Sequence, residues 1–340
     1  MMEVYVHGFP GLYGGAGTEL HHQIVAWRKM NLGVHLIPSN GGYKNEPLYQ
    51  AMLAAGVTVH ESNEFSAIQK DAPVLGFCNA EFLQHLPAIA ERTRNTIFVN
   101  CMTWLFDKEK EAMKQGLIRA FLYQNSDVLQ KHREALHALN PGKGAKFLEF
   151  RPYFDSTLFP FVEKRDPNFF GVGRVSRQDS DKFAANTLHI WEYCVSPREK
   201  RGYMLGFDSR SEAKIGKKYW WITAYTDHNQ CSQQEFYKKC DIILQPMDTT
   251  ENWPRIGFEA MSSGSVLVVD NRGGWKRLVK HGVTGWLCNT QQEFIYYASR
   301  MAFEPELRLK MARAARAWGE ELGSLESSMK SWRKVFGELN

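Results

Sequence analysis

Short apolar runs alternate with longer amphipathic stretches along most of this chain. "EVYVHG" (3–8), "VHLIPS" (34–39), "VTVHES" (57–62), "APVLGFCN" (72–79), "TIFVNCM" (96–102) and "AFLYQNS" (120–126) have the length and residue types of buried strands. Between them, "ELHHQIVAWRKMN" (19–31) and "PLYQAMLAAG" (47–56) have helical spacing, and the first stops close to Gly33. Strands that are apolar throughout are buried on both faces. Such strands, separated by helices, predict a parallel sheet covered by helices.

The pattern lapses in "KFLEFRPYFDSTLFPFVEKRDP" (146–167), which is rich in Pro and aromatics and has no period. We place the domain junction there. A second series then begins at "NFFGVGRVSR" (168–177) and continues with "GYMLGF", "CDIILQP" and "SVLVVDN" as strands. The tail is helical, "ELRLKMARAARAWGEEL" followed by "SLESSMKSWRKVFGEL". The expected fold class is α/β, with two Rossmann-like domains facing across a cleft at the carboxyl ends of both sheets, where such proteins bind ligands. The expected boundaries are 1–160 and 161–320, with a last helix at 321–340.

Composition adds little to this picture, but charge adds something. The 340 residues are 23% charged and 44% hydrophobic, as in ordinary globular chains. No apolar run approaches the ~18 residues of a membrane span, and the start lacks a secretory signal, so a cytoplasmic protein is expected. The six cysteines form no CxxC pair and no zinc spacing, which predicts reduced thiols and no metal site. Through Pro160 there are 15 Lys+Arg and 15 Asp+Glu; beyond it, 27 and 22. The second half therefore holds the whole net charge of +5 and is the better place for an anion.

Three segments could carry chemistry. "GLYGGAGTE" (11–19) joins the first strand to the first helix, where glycines let backbone N–H groups approach an anion at the helix N-terminus. Its spacing is neither a dinucleotide fingerprint nor a P-loop. "GVGRVSRQDSDK" (171–182) follows the first strand of the second domain and offers Arg174, Arg177 and Lys182 to a diphosphate. "TTENWPRIGFEAM" (249–261) puts Glu251 in a loop and Glu259 near a helix start. Loop N–H groups at Trp253, Arg255 and Ile256 lie between them. Carboxylates so placed can accept hydrogen bonds from sugar and ribose hydroxyls.

In order and spacing these segments resemble the retaining nucleotide-sugar glycosyltransferases of family 4, which have the GT-B architecture. The family's E-x7-E element resembles Glu251 to Glu259, and "EAMSSGSVLVVDNRGGWKRLVKHGVTGWL" continues its pattern. "FRPYFDSTLFPF" is similar to its inter-domain segment and "GVGRVSRQDSDK" to its diphosphate motif. The resemblance is densest from Phe169 to Leu287. It implies an acceptor-binding first domain, a donor-binding second domain and C-terminal helices packing back toward the first.

The resemblance also implies roles. Arg174 and Lys182 would neutralise the donor diphosphate, Glu259 would hold the ribose, and Glu251 would contact the transferred sugar. Gly14 and Gly15 would approach the donor phosphate or the acceptor. No cofactor or metal would be needed, since the nucleoside diphosphate sugar is itself the substrate. The acceptor would be a glycan, a lipid-linked sugar or a small molecule. The chain departs from the family in three places. Pro254 stands where Gly is usual, and it removes a backbone donor. The interval from Arg174 to Lys182 is longer, so Arg177 could replace either. The first domain lacks the family's His after a central strand, leaving Asn79, Asn100 and Thr103 as substitutes, with His7 at the end of the first strand.

Two other readings stand beside this one. A viral-type DNA glycosyltransferase acting on hydroxymethylated bases fits the compact length, although the neutral first half disfavours phosphate contacts. A non-catalytic nucleotide-sugar-binding protein fits the same fold. "KKYWW" (217–221) reads as a strand with its aromatics packed inside, with base or sugar stacking as the alternative. The helix at 107–121 interleaves acids with lysines, which disfavours a lipid-binding face there.

Overall fold

The computed structural model describes residues 2–8, 15–40, 44, 47–141 and 144–339. The chain divides into two compact units, Met1–Phe154 together with Gly323–Asn340, and Asp155–Leu322.

In the first unit the elements are β1 (Glu3–His7), α1 (Gly15–Lys29), β2 (Gly33–Ile37), α2 (Pro47–Ala54), β3 (Thr58–Val59), β4 (Val74–Phe77), α3 (Ala80–Ala90), β5 (Thr96–Val99), α4 (Asp107–Gln115), β6 (Ala120–Tyr123), α5 (Ser126–His137) and β7 (Lys146–Glu149). The seven strands form one sheet in the order β3-β2-β1-β4-β5-β6-β7. Every pairing in it is parallel. Side chains alternate across it, as strand geometry requires. Val4 and Val6 enter one apolar cluster with Leu20, Ile24 and Trp27, while Tyr5 enters another with Phe82, Phe98 and Phe121. Both faces are therefore covered, and that is why these strands read as continuous apolar runs.

The second unit runs β8 (Phe169–Val175), α6 (Thr187–Tyr193), β9 (Glu199–Leu205), α7 (Ser209–Ile215), β10 (Ile222–Tyr225), α8 (Gln233–Lys239), β11 (Ile242–Gln245), α9 (Arg255–Ser263), β12 (Val266–Asp270), α10 (Trp275–Leu278), β13 (Gly285–Cys288), α11 (Gln291–Phe303) and α12 (Pro305–Leu322). Its six strands are also all parallel, in the order β10-β9-β8-β11-β12-β13.

The final helix, α13 (Leu325–Gly337), belongs to the first unit. Trp332, Val335 and Phe336 enter the cluster beneath β1, and the Trp332 ring meets Trp27 edge-on at 4.9 Å. Polar groups fix the register of this contact. Ser328 Oγ donates to Gln23 Oε1 at 3.0 Å, and the Trp332 indole N–H donates to the same oxygen.

The structure corrects the sequence reading in several places. The aperiodic segment begins with a strand, β7, paired to β6 at the sheet edge and only half-buried, so its apolar signal is weak. The β3 run shortens to two residues. "KKYWW" is not a strand, because β10 begins after it at Ile222 and Trp220 is 88% exposed. The edge strand β10 and the strand β13 went unread in sequence. All six cysteines are free thiols. No helix of the described residues is long and apolar enough to cross a membrane.

Candidate functional site

The site grows from the carboxyl ends of β8, β11 and β12. Arg174 is the penultimate residue of β8 and is wholly buried. The first residues of the basic motif are thus inside the strand, not in a loop after it. The Arg174 guanidinium lies 3.4 Å from the centre of the Phe183 ring, a cation–π arrangement. It donates to Ser176 Oγ at 3.2 Å and to the carbonyl of Lys182. Burial pulls its pKa down to about 9, while Glu251 and Asp270 oppose the shift. It remains cationic at neutral pH.

The bond to the Lys182 carbonyl holds a one-turn 3-10 helix, Ser180–Lys182, against the strand. Asp179 caps that turn by accepting from Asp181 N at 3.1 Å. The turn delivers Lys182 Nζ to Glu251 Oε1 at 2.7 Å, with both side chains about one-fifth exposed. Arg174, Lys182 and Glu251 are thereby brought together. Arg177 is not brought with them. Its guanidinium pairs with Asp179 at 2.9 Å and is half exposed.

The loop carrying Glu251 is fastened at both ends. Asp270 Oδ2, at the end of β12, accepts from Met247 N at 2.9 Å, and burial pushes this carboxyl up to about 6. Gly274 N donates to the Glu251 carbonyl at 2.7 Å. The adjacent glycines permit that contact. Gly273 has φ +54°, and a Cβ on Gly274 would sit 2.2 Å from the Asn252 carbonyl oxygen. Gly274→Ala is therefore expected to push the loop off its seat and cut turnover about tenfold, since small misplacements of reacting groups are costly. Steady-state rates with an intact melting transition check this.

Arg255 and Ile256 are the first two residues of α9, capped by Pro254, so their N–H groups belong to a helix N-terminus and not to a loop. Such groups have no partner within the helix and carry its positive dipole end. Pro254 therefore removes no donor from the helical ladder. Its own carbonyl accepts from Gly257 N at 2.9 Å. Trp253 is buried, with its ring 6.1 Å from that of Phe258. Glu259 is the fifth residue of α9, one turn further in than the sequence suggested. Gly264, in the left-handed conformation, ends the helix.

Glu259 is nearly buried, and both donors to it converge on Oε2: Tyr237 O–H at 3.0 Å and Gln233 Nε2 at 3.1 Å. Burial pushes its carboxyl up to about 7, against the pull of Tyr237, Arg255 and Gln233. Sequence reasoning missed these two partners. They lie on α8, more than twenty residues upstream, and their only signal is a polar pair at i, i+4 on an amphipathic helix.

The first-unit candidates are spread more widely. His7 ends β1, is fully buried and meets Asn63 Oδ1 through Nε2 at 2.9 Å. Burial pulls its pKa down to about 4, so it is neutral at physiological pH. Asn79 is the N-cap of α3, its Oδ1 accepting from Glu81 N and Phe82 N. Asn100 is fully buried, donating to Glu109 Oε2 at 2.9 Å and accepting from Met102 N at 2.7 Å. Thr103 is half-buried in the bend before α4. Gly15 is the exposed first residue of α1, whereas Gly14 lies outside the described residues.

Two all-parallel α/β units with this strand order define a GT-B fold. HepE from Anabaena, solved in complex with UDP and glucose, superposes with a TM-score of 0.75. The two are 16% identical over 99% of this chain and 100% of HepE. The pneumococcal O-GlcNAc transferase GtfA, in complex with UDP and GlcNAc, gives a TM-score of 0.71 at 11% identity over 99% of each chain. More particularly, residues 225–318, which include Glu251 and Glu259, match the family "Glycosyl transferases group 1". A stretch of 99 residues is 31% identical to YtcC of Bacillus subtilis (strain 168), a protein named as a candidate glycosyltransferase. That stretch spans 28% of this chain and about a quarter, 24%, of YtcC.

Proposed function

We propose that this protein is a glycosyltransferase that moves a sugar from a nucleoside diphosphate sugar to an acceptor hydroxyl, with retention of anomeric configuration, as in family 4. The convergence of Arg174, Lys182 and Glu251 beside the N-terminus of α9 carries the proposal. The group 1 match over the segment with both glutamates supports it. The UDP complexes of HepE and GtfA make a uridine nucleotide the first donor to try. We place the reaction in the cytoplasm.

In this reading the donor diphosphate draws Lys182 from Glu251 and lies against Lys182 and the α9 N–H groups, with the buried charge of Arg174 behind them. These groups stabilise the charge that develops on the leaving group. Glu251, released, accepts from a hydroxyl of the sugar. Glu259 accepts from the ribose, backed by Tyr237 and Gln233. The bond from the anomeric carbon to the phosphate oxygen breaks as the acceptor oxygen bonds to that carbon on the same face. The acceptor proton passes to the departing diphosphate. Cationic side chains supply the charge, so turnover is expected to survive a chelator.

The test is release of nucleoside diphosphate from a panel of nucleotide sugars, with and without a chelator, alongside thermal shifts. Release from one donor with a matching shift is expected. A shift without release from any donor, whatever the acceptor, would favour a binding protein. Neither response to any nucleotide sugar would refute the reading.

A further inference from the structure

The basic, aromatic segment at 216–221 takes no part in the site described above. It joins α7 to β10 and so lies at the amino ends of the strands, the opposite end of the sheet from Arg174 and Glu251. It leaves α7 through Gly216 at φ +93° and exposes four residues in a row, Lys217, Lys218, Tyr219 and Trp220. Trp220 is 88% exposed. No other large hydrophobic side chain of the described residues is as open.

That exposure is built in. Trp221 stacks on the buried Trp191 at 6.2 Å, and Tyr219 stacks on Trp221 at 6.2 Å with the rings within 8° of parallel. The Trp221 carbonyl accepts from Gly202 N at 3.0 Å, and Lys218 Nζ donates to the Ile222 carbonyl at 3.2 Å. The segment is thus pinned on both sides of Trp220, whose indole points away from the protein. Its surroundings are cationic. Lys200 Nζ lies 4.6 Å from the centre of the Trp221 ring, and Arg201 sits over Phe169. Among the acids nearby are Glu199, exposed and 3.6 Å from Arg201, and Glu192, which interacts with Lys200. This edge draws on the half of the chain that holds the whole net positive charge.

We propose that this edge of the second unit docks on an anionic lipid surface, with Trp220 entering the headgroup boundary and Lys217 and Lys218 facing acidic headgroups. An indole flanked by lysines matches that boundary, where Trp and Tyr concentrate and basic residues gain from the negative surface potential. A nucleic-acid strand fits less well. Strand binders offer successive free aromatic platforms, whereas Tyr219 and Trp221 stack on each other and leave one free ring.

Flotation of the full chain with vesicles tests this. One set is pure phosphatidylcholine and the other contains phosphatidylglycerol. Binding is expected to the anionic set alone, to fall about fivefold in Trp220→Ser, and to fall about tenfold in Lys217→Glu. Both variants should keep the parent melting temperature and the parent response to nucleoside diphosphate. Equal binding to neutral vesicles, no binding to either set, or anionic binding untouched by both variants would overturn the proposal. So would duplex or single-stranded DNA binding, lost in the same variants, in a protein that ignores vesicles.

Discussion

Glu251→Ala is expected to lower turnover by about a thousandfold while leaving donor affinity unchanged or slightly raised. The scale is that of removing one group aimed at the reacting centre. The direction of the affinity change follows from the ion pair. Lys182 Nζ is 2.7 Å from Glu251 Oε1 in the free protein. In the proposed reading, donor binding draws Lys182 out of that pair toward a phosphate. Removing the carboxylate removes this competition, so the cation becomes more available. Turnover assays beside calorimetry with a nucleoside diphosphate separate the two effects. A variant with parental turnover would show that Glu251 does not reach the reacting carbon. One that lost affinity and turnover in parallel would show that it acts in binding alone.

Glu259→Gln should do the reverse, weakening the donor while stabilising the second unit. Its carboxyl is raised from 4.5 to about 7 by burial. Between those values the folded state holds a proton that the unfolded state has released. Stability is therefore lost as pH climbs from about 4.5 through about 7, and the full penalty is present above that. Glutamine keeps an oxygen for Tyr237 and Gln233 but has no charge to desolvate. The gain near pH 8 is on the order of 3 kcal/mol, falling to nothing near pH 4.5. Donor affinity should drop roughly tenfold to a hundredfold, because a charge-assisted bond to a ribose hydroxyl becomes a neutral one. In the parent, donor affinity should rise with pH through about 7. Melting curves of both proteins across this range check the sign, and parallel curves would mean that Glu259 is ionised without cost.

The strand–helix alternation was legible because both faces of each sheet are covered. Residues such as Val4, Tyr5 and Val6 must all be apolar, whichever face they meet. The same logic hid β7, whose four residues are all half-buried at an edge. It also misread "KKYWW", where composition alone cannot separate an inward aromatic from one held outward by its neighbours. Glu251, Arg174 and Lys182 stood out in sequence through the resemblance of their segments to family 4. Gln233 and Tyr237 did not, because a carboxylate's donors can come from any helix that packs beside it. The resemblance offers Asn79 and Asn100 as substitutes for a sugar-contacting His, and the structure gives their side chains to the backbone and to Glu109. A short amide after a strand serves a helix cap as readily as a sugar.

By itself the sequence determined two parallel α/β units and the order of the charged residues along the second, since periodicity and glycine placement are local properties. Only the tertiary structure decided the rest. It put Glu259 one turn inside α9, paired Lys182 with Glu251 and left Trp220 in solvent. Each of these depends on which elements pack together, and packing sets burial, which in turn sets the cost of every charge in the site.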